Sequence, residues 1–347
     1  MSDVQQQEVA GIDPVGIARW FGDLGIEATG RLSFARIGIG QSNLTYLVHD
    51  EEGRRWVLRR PPLGHLLASA HNVAREGRIM SALADTDVPA PRIFGIAEDP
   101  AISEVPLVLM EFVDGIVLDS REIVESLTPQ RRRAIALSLP RTLAKIHAVD
   151  LNRVGLAELA SHKPYAARQL KRWGGQWDQS KTRELPELDA LTRRLVAAVP
   201  AQTELSLVHG DFHLNNVIIS RGSAEVIAAV DWELSTLGDP LADMGSLLAY
   251  WPERGEEVGG GFEASTLDGF PDRGELTRIY LNETGRDARA LQFWHILGLW
   301  KVAIIAEGVM RRAMDIPANK ATAGTPTVEW IDARVQKAHQ VADEAGL

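Results

Sequence analysis

Along the chain the spacing of apolar positions changes from strand-like to helical, and the change divides it. Residues 33–60 hold short apolar runs between turns, which predicts three strands. Gly38-Ile39-Gly40-Gln41-Ser42-Asn43 links the first two. Trp56-Val57-Leu58-Arg59-Arg60 forms the third, stopped by Pro61-Pro62, which cannot extend a ladder. Over 70–83, Val73, Ile79, Met80 and Leu83 recur at near-helical spacing and predict a helix. Val88-Pro89-Ala90-Pro91 reads as a rigid connector, and 93–96 and 106–110 as two more strands. Before all this, Asp13-Pro14 is a helix start, N-cap then proline, leading a short helix to about Phe21 after a polar segment over 1–12.

Beyond Glu111-Phe112-Val113-Asp114-Gly115 the pattern is mostly helical. Thr128-Pro129 opens a long helix to about His147, which Pro140 is expected to kink, and 186–198 is another amphipathic helix. Short apolar strands at 205–208, 217–219 and 226–230 flank a polar loop. Gly238-Asp239-Pro240 is a turn into a further helix that Asp239 can cap. Residues 254–275 hold six glycines and little periodicity, and predict a long loop on the substrate side. Two helices, about 288–313 and 327–345, close the chain. The pattern therefore predicts an N-terminal extension over 1–29, a small strand-rich lobe over 30–111 and a larger helical lobe over 112–347, an α+β arrangement.

Composition narrows the function classes. Of 347 residues, 45% are hydrophobic and 24% charged, ordinary values for a globular chain. The net charge of −10 argues against a nucleic-acid or anionic-membrane partner. Without cysteine there is no disulfide framework, thiolate metal site or cysteine nucleophile, and a cytoplasmic location is expected. The first residues lack the basic end and apolar core of a signal peptide. The apolar stretch at 295–310 reads as too short for a membrane span and contains Lys301 and Glu307. Oligomeric state is not encoded in any of these features.

The polar loop carries the chemistry. His209-Gly210-Asp211-Phe212-His213-Leu214-Asn215-Asn216 has the H-x-D-x-x-x-x-N spacing of a phosphoryl-transfer catalytic loop, and Asp231 follows fifteen residues after Asn216 at the end of a strand. One aspartate at such a spacing orients and deprotonates a hydroxyl, while the asparagine and second aspartate hold Mg²⁺ against ATP phosphates. The Gly-rich turn with Gly40, Ser42 and Asn43 can approach phosphates through its backbone, or simply join two strands. Strand alternation puts Val57 and Arg59 on one face, so Arg59 is expected toward the nucleotide and Arg60 outward, the alternative being two solvated side chains. Asp239 is explained by capping alone. Asp243, beside apolar positions in the following helix, needs partners if buried and is expected to accept N–H groups from the loop around 209–211.

Taken together, Gly40-Gln41-Ser42-Asn43, Val57-Leu58-Arg59-Arg60-Pro61-Pro62, His209-Gly210-Asp211-x-His213-x-x-Asn216, Asp231-Trp232-Glu233 and Gly238-Asp239-Pro240-x-x-Asp243 resemble the aminoglycoside phosphotransferase-like family of small-molecule kinases. The resemblance spans about residues 30–315. With Arg168-Gln169-Leu170-Lys171-Arg172-Trp173 it points to the branch that includes the kinase-like domain fused to some acyl-CoA dehydrogenases. It implies a protein-kinase-like, two-lobed fold with Asp211 as catalytic base and Asn216 and Asp231 as metal ligands. Arg59 stands where the family often has lysine, paired with Glu76, and the backbone around Glu111 and Val113 holds the adenine. His209 is expected to shape the loop, and His213, Glu233 and Asp243 to support it or face the acceptor. The implied cofactors are Mg²⁺ and ATP, with GTP as an alternative. The implied acceptor is a small-molecule hydroxyl, a hydroxyacyl metabolite being favoured over an aminoglycoside. Arg168, Arg172, Trp173, Trp232, Trp251, Arg311 and Arg312 are candidates to contact it, most of the tryptophans being expected instead in the core. A non-catalytic nucleotide- or partner-binding module on the same fold is the rival reading. Asp231-Trp232-Glu233 departs from Asp-Phe-Gly, so no protein-kinase activation switch is implied.

Overall fold

A computed structural model of the chain describes residues 9–38, 43–63, 72–256, 263–315 and 325–347. The chain forms two compact units. The first comprises Met1–Asp85, Ala90–Asp114 and Asp231–Glu233, and the second Thr86–Pro89, Gly115–Val230 and Leu234–Leu347. The triplet that begins with Asp231 is thus contributed to the first unit from deep within the sequence of the second.

The first unit is built on an antiparallel sheet ordered β1-β2-β3-β5-β4, with β1 Ser33–Ile37, β2 Leu44–His49, β3 Arg55–Arg60, β4 Ile93–Ala97 and β5 Leu107–Glu111. Side chains alternate along β2 between buried and half-buried. The buried set, Leu44, Tyr46 and Val48, joins Trp56, Leu58, Leu107 and Leu109 in one core. Helix α1, Pro14–Asp23, covers this core with Ile17, Trp20 and Phe21, and the Phe21 ring meets Trp56 edge-on at 5.1 Å. Each such side chain taken from water contributes roughly 1.5–3 kcal/mol. The predicted cap is present, the Asp13 carboxylate accepting from Val15 N–H at 3.0 Å. Helix α2, Val73–Ala82, is capped by Asn72 and buries Glu76 as well as Ile79 and Met80. Within 70–83, the predicted start at 70 and 71 lies outside the described residues.

The second unit is mainly helical: α3 Arg121–Glu125, α4 Pro129–His147, α5 Tyr165–Ser180, α6 Pro186–Ala197, α7 Leu241–Ala249, α8 Arg273–Thr284, α9 Ala288–Asp315 and α10 Val328–Glu344. Two small sheets carry the polar loop. β6 Ile116–Val117, β8 Val217–Ile219 and β9 Val226–Ala229 form one, and β7 Ser206–Val208 pairs antiparallel with β10 Thr236–Gly238 in the other. α4 continues through Pro140, with the Ser138 hydroxyl donating to the Ile135 carbonyl and that of Thr142 to the Ser138 carbonyl.

Two expectations are corrected. Part of the predicted 254–275 loop is α8, capped by Asp272 on Glu275 N–H at 2.7 Å and ended by Gly285 in the left-handed region. The apolar stretch read as too short for a membrane span lies within α9, 28 residues long, whose most apolar 18-residue window has mean hydropathy 1.4, enough by length and composition alone. In the structure 78% of that apolar window is buried inside the protein, including Lys301 and Glu307, so α9 is a core helix.

α9 and α7 touch backbone to backbone. A Cβ on Gly245 would stand 2.3 Å from the Trp294 carbonyl oxygen, and one on Gly298 2.7 Å from that of Gly245. Only glycine permits this approach. It sets Asp243, two residues before Gly245, and Lys301, three after Gly298, beside the same loop.

Candidate active site

In the second unit the loop runs from β7 through a short 3₁₀ turn, Leu214–Asn216, into β8. Gly210 takes a left-handed conformation, φ +85°, and a Cβ there would lie 2.6 Å from the Leu234 carbonyl oxygen. The loop is then held at its peptide groups. Asp243, 1% exposed, accepts His209 N–H at 2.6 Å and Gly210 N–H at 2.8 Å, the contact anticipated from its place beside an apolar face. His147 Nε2 lies 3.2 Å from the same carboxylate, and His147 Nδ1 lies 2.7 Å from the Tyr280 hydroxyl. From the other side Lys301 Nζ donates to the Gly210 carbonyl at 2.7 Å.

The His209 ring is committed to the loop. Its Nε2 is 3.1 Å from the Val230 carbonyl and must donate to it, which leaves Nδ1 to accept Asp211 N–H at 3.4 Å. That pattern is a neutral imidazole in a structural role.

Asp211 itself is surrounded by donors. Asn216 Nδ2 lies 3.2 Å from Asp211 Oδ2 and 2.9 Å from the Asp211 carbonyl. His213 Nε2 is 3.6 Å from Oδ2, and the Tyr250 hydroxyl bonds to the carboxylate. Burial pushes the Asp211 pKa up, but His213 and Lys301 outweigh it and hold the carboxyl well below the usual carboxylate range. His213 also caps the 3₁₀ turn, accepting Asn215 N–H at 3.3 Å, and its ring lies 4.8 Å from that of Tyr250.

The first unit holds a second charged cluster. Arg59 Nε is 2.8 Å from Glu76 Oε2, Arg59 Nη2 is 2.5 Å from Asp231 Oδ1, and Arg59 Nη1 donates to the Thr45 hydroxyl at 3.3 Å. Glu76 accepts Trp232 N–H at 3.2 Å, and Asn43 Nδ2 donates to Glu233 at 3.1 Å. Burial, aided by Asp231 and Glu233 and opposed by Arg59, pushes Glu76 up to about 7. The same three acids raise Arg59 against its own burial. Asp231 sits at φ +66°, rare for a residue with a side chain, so the surroundings over-determine its position.

One expectation is corrected here, and the other candidates are placed. Arg60 does not face outward: it is 5% exposed and donates to the Gly11 and Pro61 carbonyls, so it ties the N-terminal segment to β3. Glu111 N–H is taken by the Arg92 carbonyl at 2.8 Å, while Val113, in the segment that follows, is half-buried. Gly40 and Ser42 lie outside the described residues. Of the acceptor candidates, Trp232 and Trp251 are core side chains, 0% and 1% exposed, and Arg311 is paired with Asp315. Arg168 donates to the Leu237 carbonyl at 2.6 Å, and the Arg172 guanidinium stacks on Trp173.

Sequence reasoning passed over Lys301, His147 and Tyr250 as site residues. A lysine inside an otherwise apolar helix was the available signal, because a buried ammonium requires acceptors.

Known proteins resemble this chain in sequence and in fold. The chain is 38% identical over 306 residues to mouse acyl-CoA dehydrogenase family member 10, covering 87% of this chain and 28% of that protein. It therefore spans little more than a quarter of the relative's length. A solved structure of a candidate aminoglycoside phosphotransferase from Ralstonia eutropha superposes with TM-score 0.72 at 28% identity, covering 96% of this chain and 97% of that one. A thermostable mutant of aminoglycoside phosphotransferase APH(4)-Ia, solved with AMP-PNP and hygromycin B, covers 92% of this chain and 97% of its own at TM-score 0.60; at 15% identity it is a likeness of fold. Residues 33–277 match the model of the phosphotransferase enzyme family (APH), and with the fold and the His209–Asn216 loop in place, the chain belongs to that family.

Proposed function

We propose that this chain is an ATP- and Mg²⁺-dependent kinase that moves the γ-phosphoryl group onto the hydroxyl of a small molecule. The observation that carries the proposal is Asp211: a half-buried carboxylate kept anionic by its neighbours, on a loop whose peptide groups are held from both sides.

Such a carboxylate is a weak base but a well-placed hydrogen-bond acceptor. Asp211 orients the acceptor hydroxyl and takes its proton as the new O–P bond forms and the bond from the γ-phosphorus to the bridging oxygen of ADP breaks. Phosphoryl transfer passes through a loose transition state, so positioning matters more than base strength. Arg59, held by Glu76, supplies fixed positive charge toward the phosphates.

Mg²⁺ prefers oxygen ligands, and the donors fit it: Asn216 spends its amide nitrogen on Asp211 and keeps its oxygen, while Asp231 meets Arg59 through Oδ1 and keeps its other oxygen. Asn216 and Asp231 are the proposed ligands, and the ion would supply neutralisation of phosphate charge. Asn43, Gly40 and Ser42, with the backbone at Glu111 and Val113, are proposed on the nucleotide side.

A hydroxylated acyl metabolite is the favoured acceptor. The support is the likeness to acyl-CoA dehydrogenase family member 10 across 87% of this chain. Incubating the pure protein and Asp211→Asn with Mg-ATP and pools of hydroxyacyl-CoAs, aminoglycosides, alcohols and sugars tests this by mass spectrometry. A phosphorylated hydroxyacyl compound formed only by the unaltered chain is expected. A phosphorylated aminoglycoside would move the assignment to an aminoglycoside-modifying enzyme. Mg-ATP binding with no product, even from cell-extract pools, would favour the non-catalytic module.

A further inference from the structure

We infer that Lys301 is a positioning residue for phosphoryl transfer, its ammonium fixing the peptide plane that precedes Asp211. The inference rests on the phosphotransferase reading and extends it to a residue far along the chain, on α9. Lys301 is 8% exposed and its Nζ lies 2.7 Å from the Gly210 carbonyl oxygen. That carbonyl belongs to the Gly210–Asp211 peptide, so the bond restrains the base directly through the backbone.

Three features set Lys301 apart from a buried residue kept for packing. First, α9 approaches α7 through the Gly245–Gly298 contact, which brings acid and base onto one loop: Asp243 receives the N–H groups of His209 and Gly210, and Lys301 binds the Gly210 carbonyl. An anion on the donors and a cation on the acceptor both suit the peptide dipoles. Second, Gly210 is held in the left-handed region, so its carbonyl direction is not interchangeable with that of an ordinary turn. Third, two carboxylates and an aromatic face flank the ammonium. Asp211 of the loop and Asp243 of α7 attract it, and the Trp173 ring of α5 lies 5.4 Å from Nζ. Burial and Arg172 of α5 oppose them and lower the Lys301 pKa from the ordinary ammonium value. Tyr165, Gln169 and Ser246 share with Lys301 a cavity of about 20 Å³ behind the loop.

A charge-bearing clamp predicts a signature that packing does not. Lys301→Met keeps the stem and removes the donor, and Lys301→Arg keeps the charge with a group that does not titrate in the working range. The assay is phosphate release from Mg-ATP, with water as acceptor and Asp211→Asn as background. Lys301→Met, checked as folded by circular dichroism, is expected to lose about tenfold or more in kcat while the KM for ATP stays within about threefold, since a misplaced base spares nucleotide binding. Lys301→Arg is expected to restore more of kcat than methionine leaves, and to carry the alkaline limb of the rate profile to higher pH. A folded Lys301→Met with unaltered kcat, or an alkaline limb unmoved in an active Lys301→Arg, would overturn the assignment while Asp211→Asn still marked a phosphotransferase. An unaltered chain no faster than Asp211→Asn would overturn the reading beneath it as well.

Discussion

Asp243 shows how one buried side chain can set an active-site loop. Its two oxygens satisfy two peptide N–H groups that precede Asp211, the proposed base, with His147 behind them. Replacing it with alanine leaves buried donors unpaired, and a loss of about 3 kcal/mol or more is expected in urea unfolding, with activity lost too. An Asp243→Ala chain with both stability and activity intact would contradict the assigned role. Asp231 is a different case. Its strained backbone and its bond to Arg59 hold a carboxylate whose proposed purpose is metal binding. Asp231→Ala is expected to weaken Mg-ATP binding by about tenfold or more, measured by calorimetry, as loss of a ligand should. Unchanged affinity would argue against ligation. Spacing made the partnership of Arg59 with Glu76 legible at this scale, and the same spacing picks out Asp211, Asn216 and Asp231, whose roles are proposals. Arg60 was not, because alternation along a strand assigns a face but does not reveal that Gly11 folds over that face. In sequence Lys301 reads only as a charge that disfavours a membrane span, whereas its burial is what makes it informative.

Among the elements, those with apolar periodicity or an apolar run between turns were readable, the short strands β7, β8 and β9 included, whereas β6, β10 and α8 were not. α1, α2, α4, α6, α9 and α10 follow from spacing and caps, and β1 to β5 from short runs between turns. β6 and β10 have two and three residues, too few for any period to show. α8 has weak amphipathicity, and its surest sequence marks were its ends, Asp272 and Gly285. Its first residue joins the elements around it. Arg273 donates through Nε to the Leu248 carbonyl on α7 and through both terminal nitrogens to Glu256, while Lys337 of α10 lies 3.1 Å from Glu256. Against burial, these cations, Arg273 foremost, lower Glu256 from 4.5 to about 2. A depressed carboxylate pKa adds stability that is fully present above about 4.5 and is lost as pH falls through about 2. Glu256→Gln should therefore lower the melting temperature at neutral pH, and the gap from the unaltered chain should close as the solution is acidified. A gap independent of pH would show that packing, not charge, sets the contribution.

For the molecule as a whole, the α+β, two-lobed organisation was legible because strand-like and helical spacing occupy separate stretches of sequence. That Asp231–Glu233 belongs with the strand-rich unit was not, since it depends on the long-range pairing of Arg59 with Asp231 and of Glu76 with Trp232 N–H. A ligand that binds only the folded chain stabilises it by mass action, about 2.7 kcal/mol at a hundred times its Kd. Mg-ATP is accordingly expected to raise the melting temperature, and ATP with chelator to raise it less; equal shifts would argue against a metal-dependent nucleotide site. The central claim concerns Asp211, and the most direct measurement pairs turnover with nucleotide affinity in Asp211→Asn. Phosphoryl transfer is predicted to fall by about a thousandfold or more while the Kd for Mg-ATP stays within about threefold, because an amide keeps the shape but can neither accept the proton nor carry the charge. Turnover equal to that of the unaltered chain would contradict the account.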